Sequence, residues 1–281
     1  MEQKSVVVTG ASSGIGRATV LLLARNDFRV FAGVRKREHG DTLRSEVGES
    51  VTPLIFDVTD AAAIEMSAKQ VETALADRGL DGLVNVAGVG VSGPLEFMRL
   101  TELRIVFEIN VFGQMAVIQA FLPLLRAARG RIVNISSVGA HIAIPFGGAL
   151  CSSKAAFGLL SDSLRMELDP FSVTVCTVEP GAIYTPAVEK TLGDVEGVIR
   201  TLPPSGVARY ADMLRVFTKR AYARERNGSS PDVVAEAIRD ALTAKRPKIR
   251  YVIGKDAKQL TTLPRILPDR MLDGIRRKLF R

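Results

Sequence analysis

Apolar residues along the chain fall into short, β-branched runs separated by longer stretches with helical spacing. Ser5–Thr9 (SVVVT), Arg29–Val34, Thr52–Phe56, Gly82–Val86, Arg131–Ile135 and Val173–Val178 read as six strands. Continuous apolar character is expected of parallel strands covered on both faces. Between them, Gly14–Asn26, Ala61–Arg78, Thr101–Ala128 and Ser152–Leu168 have helical periodicity. Pro123 falls inside the long third helix, where a missing N–H and a ring clash should kink it or end its regular part. Strands alternating with helices predict right-handed βαβ units on one parallel sheet. After Pro180 the pattern changes. Residues 187–230 are mixed, with several Gly and Pro and no clear strand. Pro231–Ala244 reads as a helix, with Asp232 in its first turn suiting the positive helix end. Ile249–Ile253 reads as a last strand, and residues 256–281 as one or two basic amphipathic helices. No internal repeat, low-complexity tract or linker marks a second domain, so residues 1–281 are expected to form a single domain.

Composition narrows the function classes. With 281 residues and 47% hydrophobic content, the chain can bury a sizeable core. Its formal net charge is +8, but Lys and Arg are spread widely and concentrate near the C-terminus. There is no zinc-ligand pattern and no basic stripe interleaved with aromatics, so neither a metal site nor a nucleic-acid partner is expected. Cys151 and Cys176 are isolated thiols, which fit a reducing compartment better than a disulfide framework. The start, MEQKSVVVTG, is too short and too soon polar for a signal peptide. No uninterrupted apolar run reaches the ~18–20 residues of a transmembrane span. The expected location is the cytoplasm.

The first chemical signal is Thr9-Gly10-Ala11-Ser12-Ser13-Gly14-Ile15-Gly16, between the first strand and the first helix. Glycines at G-x-x-x-G-x-G spacing let the backbone turn sharply and approach a pyrophosphate. The helix N-terminus behind them offers unpaired N–H groups and a positive dipole end, and Ser12 and Ser13 add hydroxyl donors. Further motifs follow in order: Asp57-Val58 after the third strand, Asn85-Val86-Ala87-Gly88 ending the fourth, and Asn110-Val111-Phe112-Gly113 in the long helix. Asn134-Ile135-Ser136-Ser137 ends the fifth strand, and Pro180-Gly181 follows the sixth.

On these motifs, over roughly residues 5–186, the chain resembles the short-chain dehydrogenase/reductase family. Its length and the stretch Tyr251–Arg281 are similar to the branch containing retinol and 17β-hydroxysteroid dehydrogenases. The resemblance implies a Rossmann-type doubly wound parallel sheet in a three-layer α/β/α sandwich. It also implies a nicotinamide dinucleotide held by Gly10, Ser12, Ser13, Gly14, Ile15, Gly16, Asp57, Val58, Asn85, Ala87, Gly88, Lys154, Pro180, Gly181, Ile183 and Thr185. Asp57 would contact the adenine. In this fold an acid ending the second strand takes the ribose hydroxyls of NAD, whereas an Arg accommodates the 2′-phosphate of NADP. Val34 stands where the acid would sit, Arg35 follows it and Arg37 is close by, so NADP(H) is expected ahead of NAD(H).

The family's reaction is hydride transfer between nicotinamide and a carbonyl or alcohol. A Tyr moves the proton, and a Lys four residues later holds the nicotinamide ribose and lowers the Tyr pKa. A Ser thirteen residues before the Tyr binds the substrate oxygen, and an Asn anchors a water linking the Lys to solvent. Ser137, Lys154 and Asn110 match three of these roles; the Tyr position falls on Leu150, and the tyrosines, Tyr184, Tyr210, Tyr222 and Tyr251, lie elsewhere. Leu cannot exchange a proton, and a positioned general acid is typically worth ~10²–10⁴-fold in rate. Orientation of bound reactants still supplies ~7–11 kcal/mol, so redox catalysis survives the loss if another group or water moves the proton. Tyr184 and His141 are candidates. Cys151 is adjacent but turned about 100° away on a helix and reads as structural. The other readings are a dinucleotide-binding protein without turnover, a non-redox cyclase or isomerase on the same pocket, and an engineered Tyr-to-Leu change.

The resemblance makes residues 187–230 a lid over the substrate pocket. Met213, Leu214, Val216 and Phe217 in it suggest a small lipophilic substrate such as a steroid, a retinoid or a polyketide-like ketone. Residues 263–281 pair Ile266, Leu267, Met271, Leu272, Ile275 and Leu279 with Arg and Lys. Such a helix can pack on its own fold, meet a partner subunit or lie peripherally on a membrane; packing against protein is the favoured reading. The family also implies a homodimer or homotetramer, formed through the helices that carry Asn110 and Lys154.

Overall fold

The computed structural model describes residues 3–277. In chain order the elements are β1 (Ser5–Val8), α1 (Gly14–Ala24), β2 (Arg29–Val34), α2 (Arg37–Val47), β3 (Val51–Ile55), α3 (Ala61–Leu75), β4 (Gly82–Asn85), α4 (Leu100–Phe107) and α5 (Gly113–Ala128). They continue with β5 (Arg131–Ile135), α6 (Gly148–Leu168), β6 (Thr174–Pro180), α7 (Pro186–Leu192), α8 (Val195–Arg200), α9 (Pro204–Arg226), α10 (Pro231–Thr243), β7 (Arg250–Ile253), α11 (Ala257–Ile266) and α12 (Asp269–Arg277). The seven strands form one parallel sheet in the order β3-β2-β1-β4-β5-β6-β7. This is the expected Rossmann-type, three-layer arrangement.

Alternation along each buried strand builds the two flanking layers. Val6 and Val8 of β1 pack with Val20 and Leu23 of α1 and Ile238 of α10. Val7 between them points the other way, into the layer of Phe121 from α5 and Phe157 from α6. All eight side chains are fully or almost fully buried.

The stretch Leu100–Ala128 is long and apolar enough to cross a membrane, with mean hydropathy 1.6. Here it serves as core: Val117, Ile118, Phe121 and Leu125 are wholly buried against the sheet. Pro123 does not end the helix: α5 runs on to Ala128. The carbonyl that loses its partner belongs to Gln119, an exposed residue that water can reach. The irregularity lies upstream instead, in a π-helical turn at Glu108–Phe112 that contains Asn110, and such turns recur at functional sites.

Helix α2 was not legible as a helix. It is polar on most sides and buries only Gly40 and Leu43. Gly40 is required because a Cβ there would stand 2.5 Å from Pro53 Cβ on β3. Residues 187–230 are mainly helical, forming most of α7 and all of α8 and α9. Near the C-terminus Leu272 is buried, Leu267 is half-buried, and Ile266, Met271 and Ile275 are exposed. Leu279 lies outside the described residues.

Candidate active site

The strand order reverses between β1 and β4, whose C-terminal ends flank the crevice where open α/β sheets bind ligands. Gly10 leaves β1 with φ +63°, and a Cβ on it would lie 2.8 Å from Ala87 Cα. A Cβ on Gly16 would lie 2.2 Å from the Gly10 carbonyl oxygen, so a side chain there would push α1 off the turn. Thr9 Oγ1 accepts the N–H groups of Val86 (3.0 Å) and Ala87 (3.1 Å), tying this turn to the loop after β4. The Thr9 role had no signal beyond the turn itself.

The N-terminus of α1 has no side-chain cap and no acidic residue in its first turn. Exposed Ser12 and Ser13 flank it; they also border a cavity of about 500 Å³ that runs between α1 and α10, lined by Leu21, Arg25, Pro231 and Ala235, away from Lys154. Helix N–H groups with no side-chain acceptor and no acidic neighbour in the first turn fit a dinucleotide pyrophosphate. Thr185 closes the turn from the far side, its Cβ 3.1 Å from where a Cβ on Gly14 would stand. The side chains of Val58 and Ile183 pack into the core and that of Ile15 packs against it, so of these residues only the backbone is left for a ligand. Pro180 ends β6 opposite Ile253, and the Gly181 N–H donates to the Ile253 carbonyl (2.8 Å). Arg35 and Asp57 meet at the outer edge, Nη1 to Oδ2 3.8 Å, both well exposed. Asp57 Oδ1 accepts from Thr59 N–H and Oγ1.

The loop after β4, the π-turn and α6 converge on the other half of the crevice. Asn110 donates Nδ2 to the Val89 carbonyl and accepts the Val89 N–H, each at 2.8 Å, and also donates to Ser153 Oγ (3.0 Å). Ser153 Oγ in turn donates to the Leu150 carbonyl (2.8 Å). Beneath this, Asn85 Nδ2 donates to Asn134 Oδ1 (3.0 Å) and Asn134 Nδ2 to Ser161 Oγ (2.9 Å), bracing β4, β5 and α6. Lys154 is buried, and its Nζ donates to the Ile135 carbonyl (2.7 Å). Burial without a carboxylate partner pushes its pKa down to about 8. A Cβ on Gly88 would stand 3.2 Å from Asn110 Oδ1 and 3.6 Å from Lys154 Nζ, and one on Gly90 would stand 3.4 Å from Leu150 Cδ2. Leu150 and Lys154, one turn apart on α6, therefore both border Gly88–Gly90. Ser137 Oγ accepts the Gly139 N–H (3.0 Å), and among the described residues its own proton has no acceptor.

The two side chains considered as substitute acids, Tyr184 and His141, are otherwise engaged. Tyr184 donates to Glu189 Oε1 (3.3 Å), which also accepts the Tyr222 hydroxyl. His141 Nε2 sits 2.9 Å from Glu179 Oε2; Glu179 is wholly buried and binds Arg250, which also binds Asp162. Cys151 is buried, and that burial pushes its thiol pKa up. The Glu179–Arg250–Asp162 network was not legible, because its members come from β6, β7 and α6.

Residues from the 187–230 segment reach this half of the crevice. Thr191 Oγ1 on α7 lies 3.4 Å from the Gly90 carbonyl, and Tyr210 on α9 donates to Glu96 (2.7 Å). Leu214 and Phe217 pack with Phe146 and Ile199, whereas Met213 and Val216 are exposed.

Residues 4–195 match the family model described as short chain dehydrogenase. Retinol dehydrogenase 5 of Mus musculus is 36% identical over 278 residues, covering 96% of this chain and 86% of that protein. The 3-amino-tetrahydro-pyrrolizinone reductase of Xenorhabdus hominickii is 36% identical over 268 residues, covering 95% and 92%. Among solved structures, a short chain dehydrogenase from Burkholderia cenocepacia J2315 in complex with NADP superposes with a TM-score of 0.72 at 26% identity, covering all of both chains.

Proposed function

The chain belongs to the short-chain dehydrogenase family, in its retinol dehydrogenase-like branch, and on that premise we propose that it is an NADP(H)-dependent oxidoreductase acting on a lipophilic ketone or alcohol by a proton route that does not use a tyrosine. The observation that carries the reading is the shared placement of Lys154 and Leu150 against Gly88–Gly90, across the crevice from an uncapped α1.

When bound, the nicotinamide supplies or accepts a hydride. The protein's part is orientation. The Gly10–Gly16 turn, with Ser12 and Ser13, receives the pyrophosphate. Asp57 takes the adenine, and Arg35, already beside it, takes the 2′-phosphate. The loop from Pro180 to Thr185 and the Asn85–Gly88 loop frame the nicotinamide half, with Asn110 holding the latter through Val89. Ser137 holds the substrate oxygen by a hydrogen bond from its hydroxyl. Leu150 contributes an apolar wall rather than an acid. A lipophilic substrate is supported by that wall and by relatives named as retinol dehydrogenases. Self-association through the helices of Asn110 and Lys154 is supported by exposed Ile105, Phe112, Leu159 and Met166 along them. Exposed Ile266, Met271 and Ile275 among basic residues leave peripheral membrane contact as an alternative to a cytoplasmic enzyme. Binding without turnover is the second reading, and apolar Leu150 is what favours it.

The test is NADPH and NADH oxidation with a panel of lipophilic ketones, for the natural protein and Arg35→Asp. A bidentate charged contact is worth ~1.5–3 kcal/mol. Arg35→Asp is therefore expected to raise the KM for NADPH about 10–100-fold and leave NADH within about 3-fold. Equal use of both cofactors before and after the change would refute the NADP preference, and no oxidation with any ketone would favour the second reading.

A further inference from the structure

We propose that Lys154 is itself the proton donor to the substrate oxygen in this protein, a catalytic role that rests on the redox reading above. Geometry comes first. Lys154 and Leu150 lie one helical turn apart and face the same glycine-lined loop, Gly88 and Gly90, where no Cβ intervenes. Lys154 Nζ lies toward Gly88 and Leu150 Cδ2 toward Gly90, 3.6 Å and 3.4 Å from where a Cβ on each would stand, so the two side chains meet different parts of the loop. Of the other proton-bearing groups, Ser153 Oγ is committed to the Leu150 carbonyl, Ser136 Oγ to the Lys154 carbonyl, Tyr184 to Glu189 and His141 to Glu179; Ser137, whose hydroxyl only accepts here, is an alcohol that can hydrogen-bond the substrate oxygen but is too weak an acid to give up its proton. The Lys154 ammonium has three protons and spends one on the Ile135 carbonyl.

The charge environment suits the role. The elements packed on Lys154 carry Glu102 and Arg104 on α4, Glu108 in the π-turn, Cys151 on its own helix, and Cys176 and Glu179 on β6. Glu102 binds Arg99, Glu179 binds Arg250 and His141, and Glu108 is exposed. None of them offsets the effect of burial, which alone brings the Lys154 pKa down to about 8. A general acid works best with a pKa near the operating pH, and an ordinary lysine near 10.4 would hold its proton too firmly. In ketone reduction the carbonyl carbon accepts a hydride and its electron pair from the dihydronicotinamide, and the C=O π pair moves to oxygen. That oxygen takes a proton from Lys154 Nζ, which is left as the neutral amine and is reprotonated from water. The ketone is reduced and the dihydronicotinamide oxidised.

The experiment has two readouts. The first is the pH titration of the Lys154 ¹³Cε resonance in protein without cofactor, assigned by its absence from Lys154→Arg. The second is kcat against pH for the natural protein, Lys154→Arg and Lys154→Met, each saturated with NADPH. Arg keeps the charge for binding but cannot give up a proton. The expected results are a Lys154 midpoint near 8, a natural kcat that falls as pH rises through that midpoint, and a loss of about 100-fold in kcat for both variants. A Lys154 midpoint near 10 would overturn the proposal. So would Lys154→Arg turnover within about 3-fold of natural with the same pH profile, and that result would leave the redox reading standing. Absence of turnover in the natural protein would remove both.

Discussion

Leu150→Tyr is expected to raise kcat for ketone reduction by NADPH about 100-fold or more. The argument is local. Position 150 lies one turn before Lys154 on α6, and its side chain already borders Gly90. A phenol there would lie beside the Lys154 ammonium, and a neighbouring cation lowers a phenol's pKa by favouring its charged form. Such a group becomes a positioned acid, typically worth ~10²–10⁴-fold. Because Lys154 then supports a phenol instead of donating directly, the pH at which kcat falls should also shift from that of the natural protein. Initial rates across pH 6–10 with one reducible ketone measure both effects. A variant that binds NADPH normally and gains nothing would show that position 150 does not face the reacting carbonyl.

Gly16→Val is expected to weaken NADPH binding by about 10²–10⁴-fold. The new Cβ would fall 2.2 Å from the Gly10 carbonyl oxygen and 2.7 Å from its carbon, far inside contact distance, and both atoms are backbone. The collision has one outlet, displacement of the N-terminus of α1 from the turn. Two charge-assisted bonds from backbone N–H groups to pyrophosphate, at ~1.5–3 kcal/mol each, account for the range. Gly274→Ala is the control, since no atom lies within 4 Å of a Cβ there. Calorimetric titration measures affinity, and circular dichroism separates loss of the site from loss of the fold. A folded Gly16→Val protein with the natural affinity would detach the glycine turn from cofactor binding.

The fold was legible because it is written in local pattern. All seven strands lie within about two residues of the apolar runs that predict them, since parallel strands buried largely on both faces are dominated by apolar residues, with few polar positions such as Asn134 and Glu179. Elements that earn their place by tertiary contact were harder to see. Helix α2 offers the core only Gly40 and Leu43, and α9 carries its apolar residues among many charges. Pro123 misled because its cost depends on whether the freed carbonyl reaches water, which the linear pattern does not state.

For the candidate site, the glycine turn and the row Ser137, Leu150, Lys154 were readable as spacing, because one turn of helix fixes which residues share a face. Partner choice was not readable. Tyr184 and His141 are plausible acids by position alone, yet Glu189 and Glu179, distant or unremarkable in the sequence, hold them. Lys154 was visible only as a holder of ribose. Its freedom to act as an acid follows from burial and from the absence of a carboxylate partner, and both are properties of the assembled crevice.

The most direct test of the account is fluorescence titration of the natural protein with NADPH and with NADH. The account predicts saturable binding of one dinucleotide per chain, with NADPH the tighter by about 10-fold or more. Failure of both to bind at millimolar concentration would contradict it.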